Sequence, residues 1–425
     1  MAHSFEASQK SKENGMILTI TLPSLVSDLT LLTRLAVALL LFSGPTVGSS
    51  DENWPEQSPE GYLVPQLNPK LSFPAAHGSH PGYRIEWWYL TGHLFAKSEE
   101  EPTRSRRFGI QATFFRLAQR SGMKDVEGAA FGTSQLYLAH MALTDVDGKR
   151  FYHEERLNRE GWDASAKVGD LDVHNGNWSL RRVEGLAALD ATEGSMTLRG
   201  SILSDVSFDL LLEPSKSSVL FGEKGVSRKG ADPAASSRYL TFPRLKGSGQ
   251  LEINGETLTV AGELWMDHEI SSSQLGRDQV GWDWVSIQFS DGREMMAYIL
   301  RKPDGSPDSF SALAWIDAEG RVTHQKLDEY EWISGGEWKS QKTGDVYPIS
   351  PRVIAVDPAT GERRTFEIRP VFNEQELTGG LGGISYWEGA CDVVELPSGE
   401  VVGRAYLELT GYAAGDDLGR RLRGE

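Results

Sequence analysis

Short runs of alternating apolar and polar residues fill most of the chain, with turn-forming dipeptides between them. His140–Asp145 is followed by Asp147-Gly148, and Asn254-Gly255 divides Gln250–Ile253 from Thr257–Gly262. Asp291-Gly292 divides Val285–Phe289 from Glu294–Leu300, and Glu319-Gly320 and Ser398-Gly399 repeat the signal. A period of two sends successive side chains to opposite faces of a strand. Asn-Gly and Asp-Gly pairs suit the tight turns that join antiparallel strands. Sustained helical periodicity is absent after residue 50. Many short strands at this spacing predict an all-β protein made of barrels or sandwiches.

Two stretches interrupt the pattern. Leu35–Phe42 is an unbroken apolar run directly after Arg34, followed by Ser43, Gly44, Pro45 and the small or polar residues Thr46–Ser50. A bilayer span needs ~20 apolar residues, so this run is too short to cross one. It fits the apolar region of a signal peptide, with Thr46 and Gly48 permitting cleavage near Ser49. Residues 1–50 are therefore read as a signal peptide and the protein as periplasmic or secreted, a retained N-terminal anchor being the alternative. The second stretch, 214–247, holds Pro214, polar Ser215–Ser218 and the Gly/Ser/Lys/Arg-rich Gly225–Ser237. It reads as a linker. The expected organisation is an irregular lead-in over 51–72, a first β unit with its linker over 73–247, a second over 248–414, and a frayed polar tail over 415–425.

Composition narrows the function. A chain of 425 residues predicts two or three domains at ~100–200 residues each. Acidic residues (60) outnumber basic ones (43), giving a net charge of −17. A phosphate-tracking surface needs clustered Lys and Arg, and the sequence has no such cluster, so nucleic acids and anionic membrane surfaces are poor partners. After signal cleavage no segment is expected to span a membrane, and the oligomeric state is left open. Cys391 is the single cysteine, so no internal disulfide forms; in its apolar surroundings it reads as a small buried residue.

Four segments concentrate candidate chemistry. In His77–Tyr89, a strand from Arg84 puts Ile85, Trp87 and Tyr89 on one face and Glu86 and Trp88 on the other. Tryptophans on both faces imply burial on both sides, so Glu86 is either functional or paired with Arg84 or Arg116. In Glu263–Glu269, Trp265, Asp267 and Glu269 share one face, and Met266 and His268 the other. Such a row of ionisable groups is costly unless exposed, paired or functional. In Gly281–Phe289, with Trp282 and Trp284, a two-residue Asp291-Gly292 turn would pair Ile287 with Met296 and Val285 with Tyr298. Asp283 would then head an apolar face beside Tyr298, where desolvation raises a carboxyl pKa. In the fourth, Gly382–Val393 with Gly403–Tyr412, Tyr386, Trp387 and Tyr406 are expected to line a cavity or close a barrel end. There is no Gly-x-Ser-x-Gly elbow, His-Glu-x-x-His or Cys-x-x-Cys, and no P-loop or dinucleotide fingerprint. His77 and His80 lack a third ligand at recognisable spacing, so neither a metal nor an organic cofactor is expected.

The strings HGSHPGYRIEWWYLTGHL, WMDHEISSSQLGRDQVGWDWVSIQFSDGREMMAYILR, ISYWEGACDV and AYLELTGY span most of residues 73–413. In that order they resemble the AttH-like family of predicted secreted hydrolases, related to carotenoid 1,2-hydratases and more distantly to fungal lipocalin-like cyclases. The resemblance implies two consecutive lipocalin-like (calycin) antiparallel β-barrels. It also favours hydratase chemistry on an apolar, isoprenoid or lipid-like small molecule. Asp267, His268, Asp283, Glu86 and Tyr298 are the expected catalytic groups. Trp87, Trp88, Trp265, Glu269, Trp282, Trp284, Tyr386 and Trp387 are the expected ligand contacts. Asp267, His268 and Asp283 are expected around one cavity at the barrel–barrel interface, with Glu86 and Trp88 reaching it from the first barrel. A non-catalytic lipid carrier and a glycan-binding module are the alternatives.

Overall fold

The computed structural model describes residues 54–97, 105–119, 121, 135–183, 194–379 and 385–413. The segment read as a signal peptide and the tail 415–425 lie outside these residues. Irregular backbone from Trp54 leads through a short 3-10 turn, Ala75–His77, into the first of two sheets.

The first sheet contains β1 (Ile85–Lys97), β2 (Ser105–Ala118), β3 (Gln135–Asp145), β4 (Arg150–Arg159), β5 (Ala164–Ala166), β6 (Asp172–Asn175), β7 (Trp178–Arg182), β8 (Met196–Ile202) and β9 (Val206–Pro214). Two short strands, β10 (Val219–Phe221) and β11 (Ser227–Arg228), precede the long pair β12 (Ser236–Ile253) and β13 (Glu256–Ser271). Their order is β4-β3-β2-β1-β13-β12-β9-β8-β7-β6-β5, with β10 and β11 on β12. The two ends of this order meet where β4 approaches β6 and β8, which nearly closes a barrel.

The second sheet begins with β14 (Gly281–Phe289), β15 (Glu294–Arg301), β16 (Ala312–Ile316), β17 (Val322–Lys326) and β18 (Tyr330–Ile333). A separate hairpin follows, β19 (Glu337–Lys339) and β20 (Val346–Pro348), and then β21 (Arg352–Val356), β22 (Arg363–Pro370), β23 (Glu376–Leu377), β24 (Tyr386–Leu396) and β25 (Glu400–Leu409). The order is β17-β16-β15-β14-β25-β24-β22-β21-β18, with β23 on β24. Neighbouring strands run antiparallel. The fold is all-β, with two nearly closed antiparallel barrels.

The change of sheet falls between Ser271 and Gly281. Residues 248–271, expected in the second barrel, instead complete β12 and β13 of the first sheet. Asn254 and Gly255, at φ 52° and 82°, make the two-residue turn that folds β13 back on β12. The Ser- and Gly-rich composition of 236–249 concealed a strand, so only 215–235 of the expected linker is largely irregular. Pro243 cannot donate to a ladder; it sits where the β12–β13 register shifts between Phe242 and Leu245.

Alternation divides each strand between two cores. Trp88, Leu94, Phe108, Phe114, Trp178 and Leu198 fill the first barrel. Val285, Ile287, Trp315, Val353, Phe366 and Trp387 fill the second. A third cluster, including Tyr89, Tyr239, Trp265, Trp284, Tyr298 and Tyr406, draws on the outer faces of both sheets and joins them.

The Asp291-Gly292 hairpin differs from its expected register. Gln288 pairs with Glu294, and Phe289 N–H donates to the Arg293 carbonyl at 2.9 Å, so the loop has three residues with Gly292 at φ 83°. The extra residue shifts the register by one, which exchanges faces. Tyr298 pairs with Trp284 and Leu300 with Trp282, while Asp283 pairs with Ile299 on the opposite face.

Candidate functional site

Two rows of side chains cross the outer face of the first sheet. One runs Leu138, Phe115, Trp87, Glu269, Tyr239; the next runs His140, Thr113, Tyr89, Asp267, Thr241. The second sheet opposes them with Tyr298, Trp284, Glu408 and Glu388 in one row and Leu300 beside Trp282 in another. Between the sheets lies a cavity of about 140 Å³. Aromatic rings form a large part of its wall, Trp87, Tyr89, Phe115, Tyr239, Trp284 and Tyr386 among them. Asp267, Glu269, Glu408, Lys229 and His140 supply its ionisable groups.

Asp267 is buried and, among the described residues, hydrogen-bonded only by neutral donors. Thr241 and Trp265 donate to Oδ1 at 2.5 and 2.8 Å, and Tyr239 donates to Oδ2 at 2.8 Å. Tyr239 in turn accepts from Trp284 Nε1 at 2.9 Å, which ties the site across the two sheets. Burial pushes the Asp267 carboxyl up to about 7, against those donors and helped by the neighbouring Glu269. Glu269 accepts from Ser237 and pairs with Lys229 at 3.3 Å. Lys229 Nζ lies 3.9 Å over the Tyr298 ring. Burial works against the Lys229 charge, but Glu269, Tyr298 and Asp267 outweigh it and raise the pKa.

Two acids come from the second barrel. Glu408 accepts from Trp282 Nε1 at 3.2 Å, and burial pushes its carboxyl up to about 7, with Glu269 and Asp267 adding to the rise. Glu388, its cross-strand neighbour, accepts from Tyr89 at 2.6 Å. Burial first, then the Glu408 charge, holds Glu388 protonated well above the usual carboxylate range. At the cavity edge His140 Nδ1 meets the Tyr386 hydroxyl at 2.7 Å, and Nε2 meets Glu155 at 3.3 Å.

Asp267, Tyr298, Trp87, Glu269, Trp282, Trp284 and Tyr386 thus converge on one cavity. Trp265 is buried between the sheets and reaches the cavity through Asp267. The other expected groups do not line it. Adjacent residues of a strand face opposite ways, so Glu86, Trp88 and His268 point into the first barrel. There Glu86 Oε1 meets His268 Nε2 at 2.9 Å and His80 Nδ1 at 3.0 Å, while Oε2 accepts from Arg116 Nε at 2.8 Å, Ser79 at 3.1 Å and the His80 N–H at 2.9 Å. Burial would raise the Glu86 pKa, but Arg116, His268 and His80 prevail and hold it well below the usual range. Trp88 stacks on His268 with ring centroids 4.8 Å apart. Asp283 faces into the second barrel, 2.9 Å from Arg301 and accepting from Tyr412 at 3.0 Å. Burial raises its pKa against those partners. Trp387 packs in the second core and donates to the Asn373 carbonyl at 2.7 Å.

The atoms of His80, Glu86 and His268 that would ligate a metal lie within 4.8 Å of one another. Arg116 already supplies the positive charge Glu86 requires, and both imidazoles reach Oε1 at hydrogen-bond distance. Hydrogen bonding therefore accounts for the trio. Sequence reasoning missed Tyr89, Tyr239, Lys229, His140 and Glu408 as cavity residues. Tyr89 and Glu408 were legible by parity, one alternating with Trp87 and the other with Tyr406. Lys229 and Tyr239 fell in the segment read as linker.

The Asp267 environment sets a pH dependence of stability. An unfolded aspartate ionises at about 3.9, whereas folded Asp267 holds its proton to about 7. Between those values the native state binds more protons than the unfolded state, so this group's contribution falls as pH rises from about 4 to about 7, then levels. Asp267→Asn removes the titration. The variant is therefore expected to lose less stability than wild type across that window in urea unfolding at stepped pH. Parallel pH curves for the two proteins would contradict the raised pKa.

A two-barrel lipocalin-like protein with a carboxylate-bearing cavity between its barrels is the class this fold and site define. The AttH-like family profile matches residues 64–412, and the chain belongs to that family. An AttH from Nitrosomonas europaea, known from its crystal structure, is 34% identical; the match covers 83% of this chain and all of that one, with a TM-score of 0.70. Kievitone hydratase from Nectria haematococca shares the fold at 15% identity, covering 84% of this chain and 98% of that one, with a TM-score of 0.57. No curated protein matches the chain.

Proposed function

We propose that this protein is an exported acid–base enzyme that adds water to, or removes it across, a carbon–carbon double bond of an apolar isoprenoid or lipid-like molecule held between the barrels. One observation carries the reading: Asp267 is a buried carboxyl that lines the cavity, bonded to Thr241, Trp265 and Tyr239 and ion-paired with no cation among the described residues, so that burial pushes its pKa up to about 7. Such a group can protonate an isolated alkene. The ring faces of Trp87, Trp282 and Trp284 suit the resulting cation, and a desolvated cation–π contact is worth ~2 kcal/mol or more. The chemistry requires neither metal nor organic cofactor. That a hydratase shares the fold supports the reading, and Leu35–Phe42 supports export.

A lipid carrier is the second reading, favoured by the aromatic walls. It has no use for carboxylates brought to the same cavity from both barrels. A glycan module would display a platform of exposed tryptophans, whereas Trp162 is the one exposed tryptophan among the described residues, Trp284 is buried and Trp87 and Trp282 are half-buried. The test incubates the purified protein with squalene and geranylgeraniol in heavy-oxygen water and follows products by mass spectrometry. Label in an alcohol product is expected. Binding of both probes without label would favour the carrier and overturn the hydratase reading.

A further inference from the structure

Four carboxylates gather where the barrels meet, and two of them are spoken for. Glu269 is neutralised by Lys229 at 3.3 Å. Glu388 is wholly buried, accepts from Tyr89 at 2.6 Å and is not among the cavity-lining residues. Asp267 and Glu408 remain, both lining the cavity and neither ion-paired among the described residues. Trp284 links them. Its indole N–H holds Tyr239, which donates to Asp267, and its strand partner on the other side is Glu408.

We infer that Glu408, carried by the second barrel, is the base that activates water opposite the acid Asp267, so that each barrel contributes one half of the catalytic pair. The inference rests on the acid–base reading above and adds to it the second catalytic group, a role His268 cannot fill from inside the first barrel. In the hydration direction the Asp267 proton adds to one alkene carbon, the π bond breaks and the neighbouring carbon becomes cationic. Water oxygen bonds to that carbon while Glu408 takes the water proton. The product is the alcohol, Asp267 is left ionised and Glu408 protonated. The proton returns through water once the cavity empties. Two carboxyl groups facing one small cavity disfavour double ionisation, which keeps one an acid while the other is a base.

Two signals separate the roles. Deuterium from solvent entering the recovered alkene reports protonation and its reversal, and heavy oxygen entering the alcohol reports water attack. With squalene or geranylgeraniol as probe, Asp267→Asn is expected to lose both. Glu408→Gln is expected to keep deuterium exchange and to lose oxygen incorporation by about 10²–10⁴-fold. Oxygen incorporation by E408Q at the wild-type rate, with D267N inactive, would overturn the Glu408 assignment alone. Loss of both signals in E408Q would place Glu408 in the protonation step or the fold, and also overturns it. Wild-type activity in D267N would instead remove the reading on which the inference rests.

Discussion

Asp267→Asn is expected to lower turnover by about 10²–10⁴-fold, the usual loss when a positioned general acid is removed. Apolar-ligand affinity should barely change, because the cavity wall is built from rings that the substitution leaves in place. Asparagine keeps the shape of aspartate, and its amide oxygen still accepts from Thr241 and Trp265. What disappears is the transferable proton. Tryptophan fluorescence titration with squalene gives the affinity, and product formation gives the rate. Wild-type activity is also expected to peak near pH 7 and to fall on either side, as Asp267 ionises above it and Glu408 takes up a proton below it. An equal loss of binding and turnover would mean that Asp267 shapes the pocket, not the reaction.

Arg116→Ala is expected to be the most destabilising single change near this region. Arg116 and Glu86 are both fully buried and meet at 2.8 Å. Removing one partner leaves an uncompensated buried charge, which costs about 3–5 kcal/mol. Whole-domain stabilities are about 5–15 kcal/mol, so the loss is a large share of the total. Arg116 also donates to the His80 and Tyr83 carbonyls and to Gln135, so the loop before β1 should loosen with it. The double variant Glu86→Gln/Arg116→Met should recover part of the loss, because no unpaired charge remains. Urea unfolding of wild type, both single variants and the double closes that cycle. A loss below about 1 kcal/mol for Arg116→Ala would show that Glu86 is not held ionised there.

The barrels were legible because alternation and turn dipeptides are local signals. The Trp87–Tyr89 face was read correctly for the same reason. The site was only partly legible because it depends on parity across a sheet. Asp267 and His268 are neighbours in sequence and therefore opposites in space, and treating them as one site ignored that. Asp283 does head the apolar face of Val285 and Ile287, but one extra loop residue at Ser290–Gly292 puts Tyr298 on the other face, a difference between turn types that the dipeptide alone does not encode. Glu408 drew no notice because it is one carboxylate in an apolar strand, and its importance comes from facing Asp267 across a boundary far away in sequence. Lys229 and Tyr239 were hidden by a composition that resembles a linker and folds as short strands and the start of β12.

Placing the cavity outside both barrels has an evolutionary consequence. Along β1, β13, β14 and β25 one set of alternate residues fills a barrel interior, and part of the other set, including Trp87, Asp267, Trp284 and Glu408, lines the cavity. A change of ligand preference can thus accumulate on the outward set while the inward set, which keeps each barrel folded, is left untouched. Selection on substrate acts on the outward residues that line the cavity, whereas other outward residues, Trp265 and Tyr406 among them, are buried where the barrels meet and are constrained by that packing.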